Sequence, residues 1–197
     1  MTFDLKEPTD EVPVAPATKS KRRGFLEWVV VLIAAVLVSF LVRTFVVQEY
    51  SIPSGSMSPT LYIGNRILVN KLSVDFGTIN VGDMVVFKAP PAVAKLCGDD
   101  YADLVKRVIG VPGDVLNTVG NTIYIDGKKL HQRWSHFPNL GANGAIHNFT
   151  VPAGRYFMMG DNHANSCDSR TWGTVPRSDI IGKVFVKIWP LSQWHWF

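Results

Sequence analysis

A charge-free apolar run near the N-terminus is the strongest hydropathy pattern in this chain. The run Trp28–Val42 covers only about 22 Å as a helix, less than the roughly 30 Å of a bilayer core. Residues 24–47 are long enough, provided that Glu27 lies near one interface and Arg43 extends its side chain towards the other. A cleaved signal peptide is the alternative, but no cleavage site flanked by small residues follows the run. The pattern therefore predicts one uncleaved N-terminal transmembrane helix over residues 24–47.

The segment before this helix is polar. Residues 1–23 are rich in Pro, Thr, Asp, Glu and Lys and lack an apolar period, which predicts a disordered tail. The basic cluster Lys19–Arg23 lies beside the apolar run, so the positive-inside rule places the tail in the cytoplasm. Residues 48–197 are then expected on the extracytoplasmic side of the cell membrane.

Beyond the helix, short apolar runs alternate with glycine and proline turns. They show no sustained helical periodicity, which predicts a mainly β domain. The stretch His131–Asn148 has no clear period, so about residues 120–150 are expected to form a small, loop-rich insertion. The runs that predict strands, one of them a hairpin around Asp126–Gly127, are Arg66–Asn70, Asp83–Lys88, Leu104–Ile109, Asn121–Leu130, Arg155–Met159 and Gly182–Trp189.

Composition excludes several functional classes. The chain has 20 Lys and Arg against 16 Asp and Glu, and the basic residues concentrate at Lys19–Arg23. A basic cluster beside an apolar run favours membrane lipid as a partner, and no basic and aromatic stripe elsewhere suggests nucleic acid. Two cysteines, Cys97 and Cys167, are too few for a disulfide scaffold or a zinc site, so no metal or cofactor is expected. Outside the cytoplasm they are able to form one bridge, and inside it they are expected as buried thiols.

The stretch Ser51–Thr60 is the first candidate for chemistry. It combines four serines with two prolines and a glycine, residue types that form turns rather than regular helix or strand. Ile52 and Met57 are apolar residues that a solvent-exposed loop does not need. We therefore expect a partly buried turn that presents the Ser56 hydroxyl at a groove. The alternative is a serine-rich linker between the anchor and the domain.

A serine nucleophile needs a base, and the sequence offers two kinds. Of the five histidines only His163 lies within a motif-like segment, so a Ser-His-Asp triad has little support. A Ser-Lys dyad is the other solution, and Lys106 lies in the middle of the predicted strand Leu104–Ile109. Alternation along a strand places Lys106 and Arg107 on opposite faces, so one cation lies among apolar residues if both faces are covered. On an exposed edge strand, in contrast, both would face solvent.

A lysine acts as a base only when it is neutral. A free lysine has a pKa of about 10.4, so only about one in a thousand is neutral near pH 7.4. A downward shift of about three units, or about 4 kcal/mol, makes most of the population neutral. Because burial against apolar groups produces shifts of this size, we expect Lys106 in a dry pocket.

The segment Gly160–Arg170 is dense in polar, turn-forming residues and follows an apolar strand. Polarity alone is typical of an ordinary surface loop. However, Asp168 and Arg170 are close enough in sequence to form an ion pair, and Ser166 is a candidate to reach a buried amine.

Four segments of the chain resemble the motifs of the bacterial type I signal peptidases, a family of membrane-bound leader peptidases. The resemblance covers about residues 24–190 and implies an antiparallel β-domain with a membrane-associated apolar surface and a small second subdomain. The segments keep the family's order behind an N-terminal anchor, and they are Ile52–Thr60, Gly82–Phe87, Lys106–Asp114 and Gly160–Arg170.

The resemblance also implies roles for individual residues. Ser56 is the nucleophile and Lys106 the general base of a serine endopeptidase that works through an acyl-enzyme. The Ser54 hydroxyl and the Ser56 amide form the oxyanion hole, and Ser166 orients the lysine.

The substrates that the resemblance implies are secretory preproteins, cut after small residues at −1 and −3. We expect these chains to bind extended, by strand addition beside Ile52–Ser54 and Leu104–Val105. The small side chains would enter shallow pockets, and the residues expected to line them are Ile52, Pro53, Met57 and Val105.

The family's structural ion pair corresponds to Asp168 and Arg170, and two nearby features depart from its pattern. His163–Ala164 stand where the family often has Arg-Asp, which alters the local salt-bridge network. Cys167 lies at a position that the motif leaves variable. We infer a bridge between Cys97 and Cys167, with a buried thiol as the alternative.

Two other functions fit parts of the sequence. A related Ser-Lys hydrolase of the self-cleaving repressor type would carry a DNA-binding domain and no anchor. An envelope β-domain that only binds extended peptides would leave Ser56 and Lys106 far apart or exposed. The aromatic C-terminal segment, Leu191–Phe197, would either enter the membrane interface or pack on the core.

Overall fold

The computed structural model describes residues 21–98, 100–134, 139–141 and 144–197. The first helix, α1, spans Lys21–Phe45. The predicted anchor therefore extends two residues beyond the helix, because Val47 already begins the first strand. Within the described residues, no helix is both long and apolar enough to cross a membrane. Residues 1–20 of the predicted tail lie outside the described part of the chain.

The chain divides into two compact units, Met1–Phe40 and Leu41–Phe197. The second unit is built mainly of strands. They are β1 (Val47–Ser51), β2 (Arg66–Asn70), β3 (Met84–Lys88), β4 (Asp103–Gly110), β5 (Val115–Val119), β6 (Thr122–Ile125), β7 (Lys128–Lys129), β8 (Phe149–Thr150), β9 (Arg155–Met159), β10 (Val175–Pro176), β11 (Ile180–Trp189) and β12 (His195–Trp196). Short helices interrupt them at α2 (Leu72–Asp75), α3 (Ala92–Cys97) and α4 (Ser169–Trp172).

The strands form two sheets in which every described pair is antiparallel. The larger sheet has the order β1-β2-β11-β3-β4-β9-β10, and β12 also pairs with β11. The smaller sheet has the order β7-β6-β5-β8. The prediction of a mainly β, antiparallel domain is therefore confirmed.

Most strands lie where the hydropathy pattern predicts them. The ranges of β2 and β9 agree with the predicted runs at both ends. The predicted hairpin is also confirmed, because β6 and β7 pair across Asp126–Gly127, whose φ values are 50° and 75°. Two successive positive φ values are the signature of the tight turn that matches the twist of paired strands. The helices α2–α4 were missed, because four to six residues are too few to show a period.

The predicted insertion shares its core with the main sheet. Leu116 and Ile123 of the smaller sheet are fully buried, and they belong to one cluster with Ile109, Phe157 and Met159 from β4 and β9. Burying a side chain of this kind contributes about 1.5–3 kcal/mol. The described residues between β7 and β8 contain no helix or strand, as expected for a loop-rich segment.

Strand β4 lies inside the larger sheet, between β3 and β9. Its residues from Lys106 to Gly110 are all buried. The exposed-edge alternative is therefore wrong, and both Lys106 and Arg107 lie inside the protein, one on each face of the strand. Strand β4 therefore positions the residues of the candidate site.

Candidate active site

The serine-rich stretch is a partly buried turn rather than a linker, as expected. Gly55–Met57 forms a single turn of 3-10 helix, and Ser54 precedes it in extended conformation. Met57 and Ile52 are buried in the same apolar cluster, which holds the turn against the sheet. The Ser56 carbonyl also accepts a hydrogen bond from the Asn162 amide at 3.0 Å. The apolar cluster and the hydrogen bond from Asn162 therefore both fix the position of the turn.

Lys106 reaches this turn from β4. Its Nζ lies 2.6 Å from Ser56 Oγ, and the residue is only 4% exposed. The hydroxyls of Ser54 and Ser56 lie 3.3 Å apart. An alcohol, an amine and a second hydroxyl thus meet at one point, as nucleophilic catalysis requires.

The structure does not support the two alternatives to this dyad, which are a peptide-binding domain without activity and a triad with a histidine base. A non-enzymatic peptide-binding domain predicted that Ser56 and Lys106 are apart or exposed, and they are neither. His163 is buried and its Nε2 bonds Gln132 at 2.8 Å. Within the described residues, no histidine forms a hydrogen bond with Ser56.

Asp168 and Arg170 form the expected ion pair at the base of the loop. Arg170 donates from Nε and Nη2 to the two carboxylate oxygens, each at 2.7 Å, and the pair is almost completely buried. Asp168 also accepts from the Gly160 amide at 3.2 Å and caps α4. Arg170 further donates to the carbonyls of Leu140 and His163, at 2.5 and 2.7 Å. The pair therefore ties the loop to the insertion.

Ser166 lies at the site, but it does not make the expected contact. It lines a cavity of about 470 Å³ together with Ser54, Ser56 and Lys106. Its Oγ is buried and has no hydrogen-bond partner among the described residues. The structure thus brings Ser166 beside the dyad without a bond to the lysine.

Gly160 is a site residue that sequence reasoning missed. A Cβ at this position would overlap both the Ser166 side chain and the Ser56 carbonyl oxygen. Only glycine lets the loop and the serine turn approach so closely. The one available signal was a glycine directly after an apolar strand.

Arg107 and Asp161 form a second buried ion pair that was also missed. Arg107 donates from Nε and Nη2 to Asp161 at 2.7 and 2.6 Å, and its guanidinium lies 4.6 Å from the centre of the Trp134 ring. Asp161 accepts a further bond from Thr60 at 2.5 Å. The pair lies on the opposite face of β4 from Lys106 and connects the strand to both loops of the site.

His163, which departs from the family's pattern, carries no charge in this network at neutral pH. Burial lowers the pKa of its imidazole, and the nearby Arg170 lowers it further. The neutral ring bonds Gln132 instead of a carboxylate.

A groove of about 350 Å³ leads away from the dyad and contains all four predicted substrate-binding residues. One wall is the beginning of β4. Residues Asp103–Lys106 pair with β3, whereas the pairing of β4 with β9 begins at Arg107. Within the described residues, no strand pairs with the second edge of this segment, so its backbone is open to strand addition there. The predicted residues that line the groove are Ile52, Pro53, Met57 and Val105.

The two cysteines lie in a disulfide that joins α3 to the loop. The Cα atoms of Cys97 and Cys167 are 6.0 Å apart, within the usual range for a bridge. Cys167 lines both the groove and the larger cavity. The disulfide thus fixes a residue that lines both the groove and the larger cavity.

A serine alcohol beside a buried lysine amine, next to an open strand edge, is an arrangement suited to acyl transfer on an extended peptide. The sequence profile of the family described as "Signal peptidase, peptidase S26" matches residues 25–189. The chain therefore belongs to this signal peptidase family, and the resemblance noted in the sequence is confirmed.

Named relatives agree with this assignment. The chain is 33% identical to "Signal peptidase I" of Leptolyngbya laminosa, over 98% of this chain and 95% of the relative. It is 36% identical to "Probable signal peptidase I-2" of Synechocystis sp., over 98% of this chain and 84% of the relative. A crystal structure of a signal peptidase I from Enterococcus faecalis is 27% identical and covers 54% of this chain and 96% of its own, with a TM-score of 0.42.

Proposed function

We propose that this chain is a membrane-bound serine endopeptidase that removes signal peptides from secretory preproteins through an acyl-enzyme. One observation carries the proposal, namely the 2.6 Å distance between Lys106 Nζ and Ser56 Oγ inside the protein. Membership of the signal peptidase family supplies the substrate class. The names of the relatives agree with it.

The proposed reaction begins with neutral Lys106. Its amine takes the proton of Ser56, and Oγ attacks the carbonyl carbon of the scissile peptide bond. The negative oxygen is held by the Ser56 amide and the Ser54 hydroxyl. Protonated Lys106 then gives its proton to the leaving amine, which departs as the new N-terminus. The neutral amine next activates a water molecule, which hydrolyses the ester and restores Ser56.

The substrate binds as an extended strand in the groove. Its residues before the scissile bond run between Ile52–Ser54 and Leu104–Val105, where β4 has an unpaired edge. Side chains at −1 and −3 point to the same side of an extended chain. We propose that they enter the pockets near Ile52, Met57 and Val105 and that these pockets select small side chains. Asp168 and Arg170 hold the loop that carries Ser166 to the edge of the site.

Residues 24–47 anchor the enzyme in this proposal, with the N-terminus in the cytoplasm and residues 48–197 outside it. The support comes from the sequence, namely the charge-free run Trp28–Val42 after the basic cluster Lys19–Arg23. The exposed C-terminal aromatic residues would add contacts with the lipid interface. They are Trp189, Trp194, Trp196 and Phe197.

Incubation with a model preprotein tests the proposal directly. The full chain in detergent is expected to release the mature protein, whereas Ser56→Ala and Lys106→Ala are expected to lose essentially all cleavage. Thr150→Ala offers a matched control, because this residue is exposed at the end of β8, away from the site. Gel analysis gives the cleaved fraction, and far-ultraviolet circular dichroism checks that each variant is folded. Full activity in either site variant would reject the dyad.

A further inference from the structure

One residue of the Gly160–Arg170 loop holds the backbone of the serine turn on both sides of Ser56. The main-chain N–H of Asn162 donates to the Ser56 carbonyl at 3.0 Å. The side-chain amide of Asn162 donates to the Gly55 carbonyl at 3.4 Å. These two carbonyls belong to the two peptide groups that flank the Cα atom of Ser56. Asn162 therefore fixes the backbone of the candidate nucleophile both before and after this atom.

The Asn162 side chain reaches out of its own segment. Asn162 precedes the 3-10 turn His163–Asn165, a position where asparagine often caps a helix with its side chain. Within the described residues the side chain forms no such cap, and the amide instead reaches a carbonyl 107 positions away in the sequence. Because the Gly55 oxygen is an acceptor, only the amide nitrogen of Asn162 is able to bond it. The local structure of the loop therefore does not explain this side chain, whereas the serine turn does.

The bond to Gly55 also sets the direction of a second group. The Gly55–Ser56 peptide bond is trans, so its C=O and N–H point in opposite directions. The orientation of the Gly55 carbonyl therefore fixes that of the Ser56 N–H, which is one of the two donors proposed for the oxyanion hole. A donor on the carbonyl also polarises the peptide group, and this strengthens the N–H as a donor.

We propose that Asn162 is a positioning residue, whose side-chain amide aims the Ser56 N–H at the oxygen that becomes negative in the transition state. In this role Asn162 acts through the Gly55–Ser56 peptide group rather than on the substrate itself. The side-chain bond is therefore expected to contribute more to the tetrahedral state than to substrate binding. This inference rests on the proposed function, because it assumes that Ser56 attacks a peptide carbonyl.

Asn162→Ala tests the inference, because it removes the side-chain bond and leaves the main-chain bond to the Ser56 carbonyl. Cleavage kinetics are measured with a model preprotein and the full chain in detergent. The kcat per folded molecule is expected to fall by about tenfold, with KM changed by less than about twofold. Removal of an oxyanion donor itself lowers kcat by about 10²–10³, and the loss of a group that only orients this donor is smaller.

Two further variants separate positioning from structure. Asn162→Asp keeps nearly the same size, but an ionised carboxylate accepts and does not donate, so it is expected to lower kcat at least as much as Asn162→Ala. Asn70→Ala is the matched control, since Asn70 also bonds a main-chain group, the Ser73 N–H at 3.2 Å, but lies at the end of β2. The control is expected to keep its kcat.

Four results of these kinetics would overturn the inference. They are an unchanged kcat in Asn162→Ala, a loss confined to KM, full activity in Asn162→Asp, and equal kcat losses in Asn162→Ala and Asn70→Ala. Circular dichroism checks that each variant is folded. Failure of both variants at position 162 to fold would show a structural role and would overturn the inference as well.

A peptide aldehyde that ends in alanine measures the tetrahedral state without turnover. Ser56 Oγ bonds the aldehyde carbon, the carbonyl electron pair moves to the aldehyde oxygen, and the Ser56 proton passes to Lys106. The oxygen of this adduct occupies the position of the oxyanion. The dissociation constant of the aldehyde, measured by isothermal titration calorimetry, is therefore expected to rise by about tenfold in Asn162→Ala, the same factor as the loss in kcat. An unchanged constant would contradict the inference.

The two readouts also separate this inference from the proposed function. Cleavage that depends on Ser56 and has the same kcat in Asn162→Ala would support the peptidase and refute the role of Asn162. Aldehyde binding that requires Ser56 and weakens in Asn162→Ala, without preprotein cleavage by the unaltered chain, would refute the peptidase proposal and support the role of Asn162. The absence of both cleavage and aldehyde binding would refute both.

Discussion

Gly160 determines how closely the two halves of the candidate site approach each other. The serine turn and the Gly160–Arg170 loop meet at this residue, where a side chain would overlap the Ser56 carbonyl and the Ser166 side chain. The lysine amine arrives from a third segment, on β4. Because three segments converge, a small displacement at Gly160 moves the Ser56 hydroxyl, the candidate nucleophile, relative to the Lys106 amine, the candidate base.

Gly160→Ala is expected to reduce preprotein cleavage by at least tenfold in the folded protein. Its methyl group pushes against a backbone oxygen that cannot move independently, and overpacking of this kind costs about 1–3 kcal/mol of stability. Gly182→Ala is the matched control, since a Cβ there would crowd the Asn70 carbonyl and Val69 at 2.6 Å. Gly182 lies on β11, outside the serine turn and the Gly160–Arg170 loop. We expect the control to lose stability and to keep its activity per folded molecule. Equal activity losses in the two variants would contradict a local role for Gly160.

His163 makes the free energy of unfolding depend on pH. Burial, and then Arg170, lower the pKa of this imidazole in the folded protein, whereas the unfolded chain titrates near 6.5. Below about pH 6.5 the unfolded state binds a proton that the folded state does not, so stability falls as pH falls, by at most about 1.4 kcal/mol per pH unit. Denaturant titrations between pH 7.5 and 5 on the unaltered chain and His163→Gln measure the difference. The variant should lose less stability over this range, and identical pH profiles would count against the effect.

Strand β4 is the element that organises the site. It places Lys106 and Arg107 on opposite faces, so one strand supplies both the candidate base and a structural cation. Lys106 reaches the serine turn, and Arg107 reaches Asp161 beside Gly160. In the part of the chain that the structure describes, the beginning of the same strand has no partner on one edge, and it forms one wall of the groove. One strand therefore carries a structural ion pair, the candidate base and one wall of the groove.

Arg107→Met is expected to lower the free energy of unfolding by about 3–5 kcal/mol, because it removes the cation that bonds both carboxylate oxygens of the buried Asp161. Arg66→Met is the matched control, since Arg66 and its partner Glu49 are 59% and 46% exposed in their side chains. An exposed pair contributes about 0–1 kcal/mol. Urea titration followed by tryptophan fluorescence measures both. Similar losses in the two variants would show that burial does not set the energy of the pair.

At the scale of the whole molecule, long-range connections hold the Gly160–Arg170 loop. The disulfide links residues 70 positions apart, from α3 to the loop that follows β9. Closing a loop of this length removes freedom from the unfolded chain and stabilises by about 4 kcal/mol in the entropic account. In the insertion, the Leu140 carbonyl accepts a hydrogen bond from Arg170. The loop is thus fastened to parts of the chain that lie before and after β4.

The proposed anchor predicts how the whole chain behaves in membranes. In cell membranes the chain is expected to resist extraction at alkaline pH, and a protease outside the cytoplasm should reach a C-terminal tag but not an N-terminal one. Val36→Arg with Leu37→Arg interrupts the apolar run, and each arginine near a helix centre costs about 2.5–3.5 kcal/mol of insertion. This variant should be extracted and retain the fold of the β-domain. Extraction of the unaltered chain would contradict the anchor.

The sequence by itself determined the family of this protein and the longer of its strands. Apolar runs bounded by glycine and proline are local signals, so β2, β9 and the Asp126–Gly127 hairpin were predictable at or near their ends. The motif segments identified the family and the candidate residues Ser56 and Lys106. Each of these signals is contained in a few consecutive residues.

Only the tertiary structure decided which segments meet. The partners of Arg107, the absence of a bond at the Ser166 hydroxyl among the described residues, and the bonds of Asn162 to the serine turn all depend on contacts between segments far apart in sequence. The need for glycine at position 160 depends on the same convergence. A side chain's partner is set by the packing of the sheet around it, and packing is a property of the folded chain rather than of any short stretch of it.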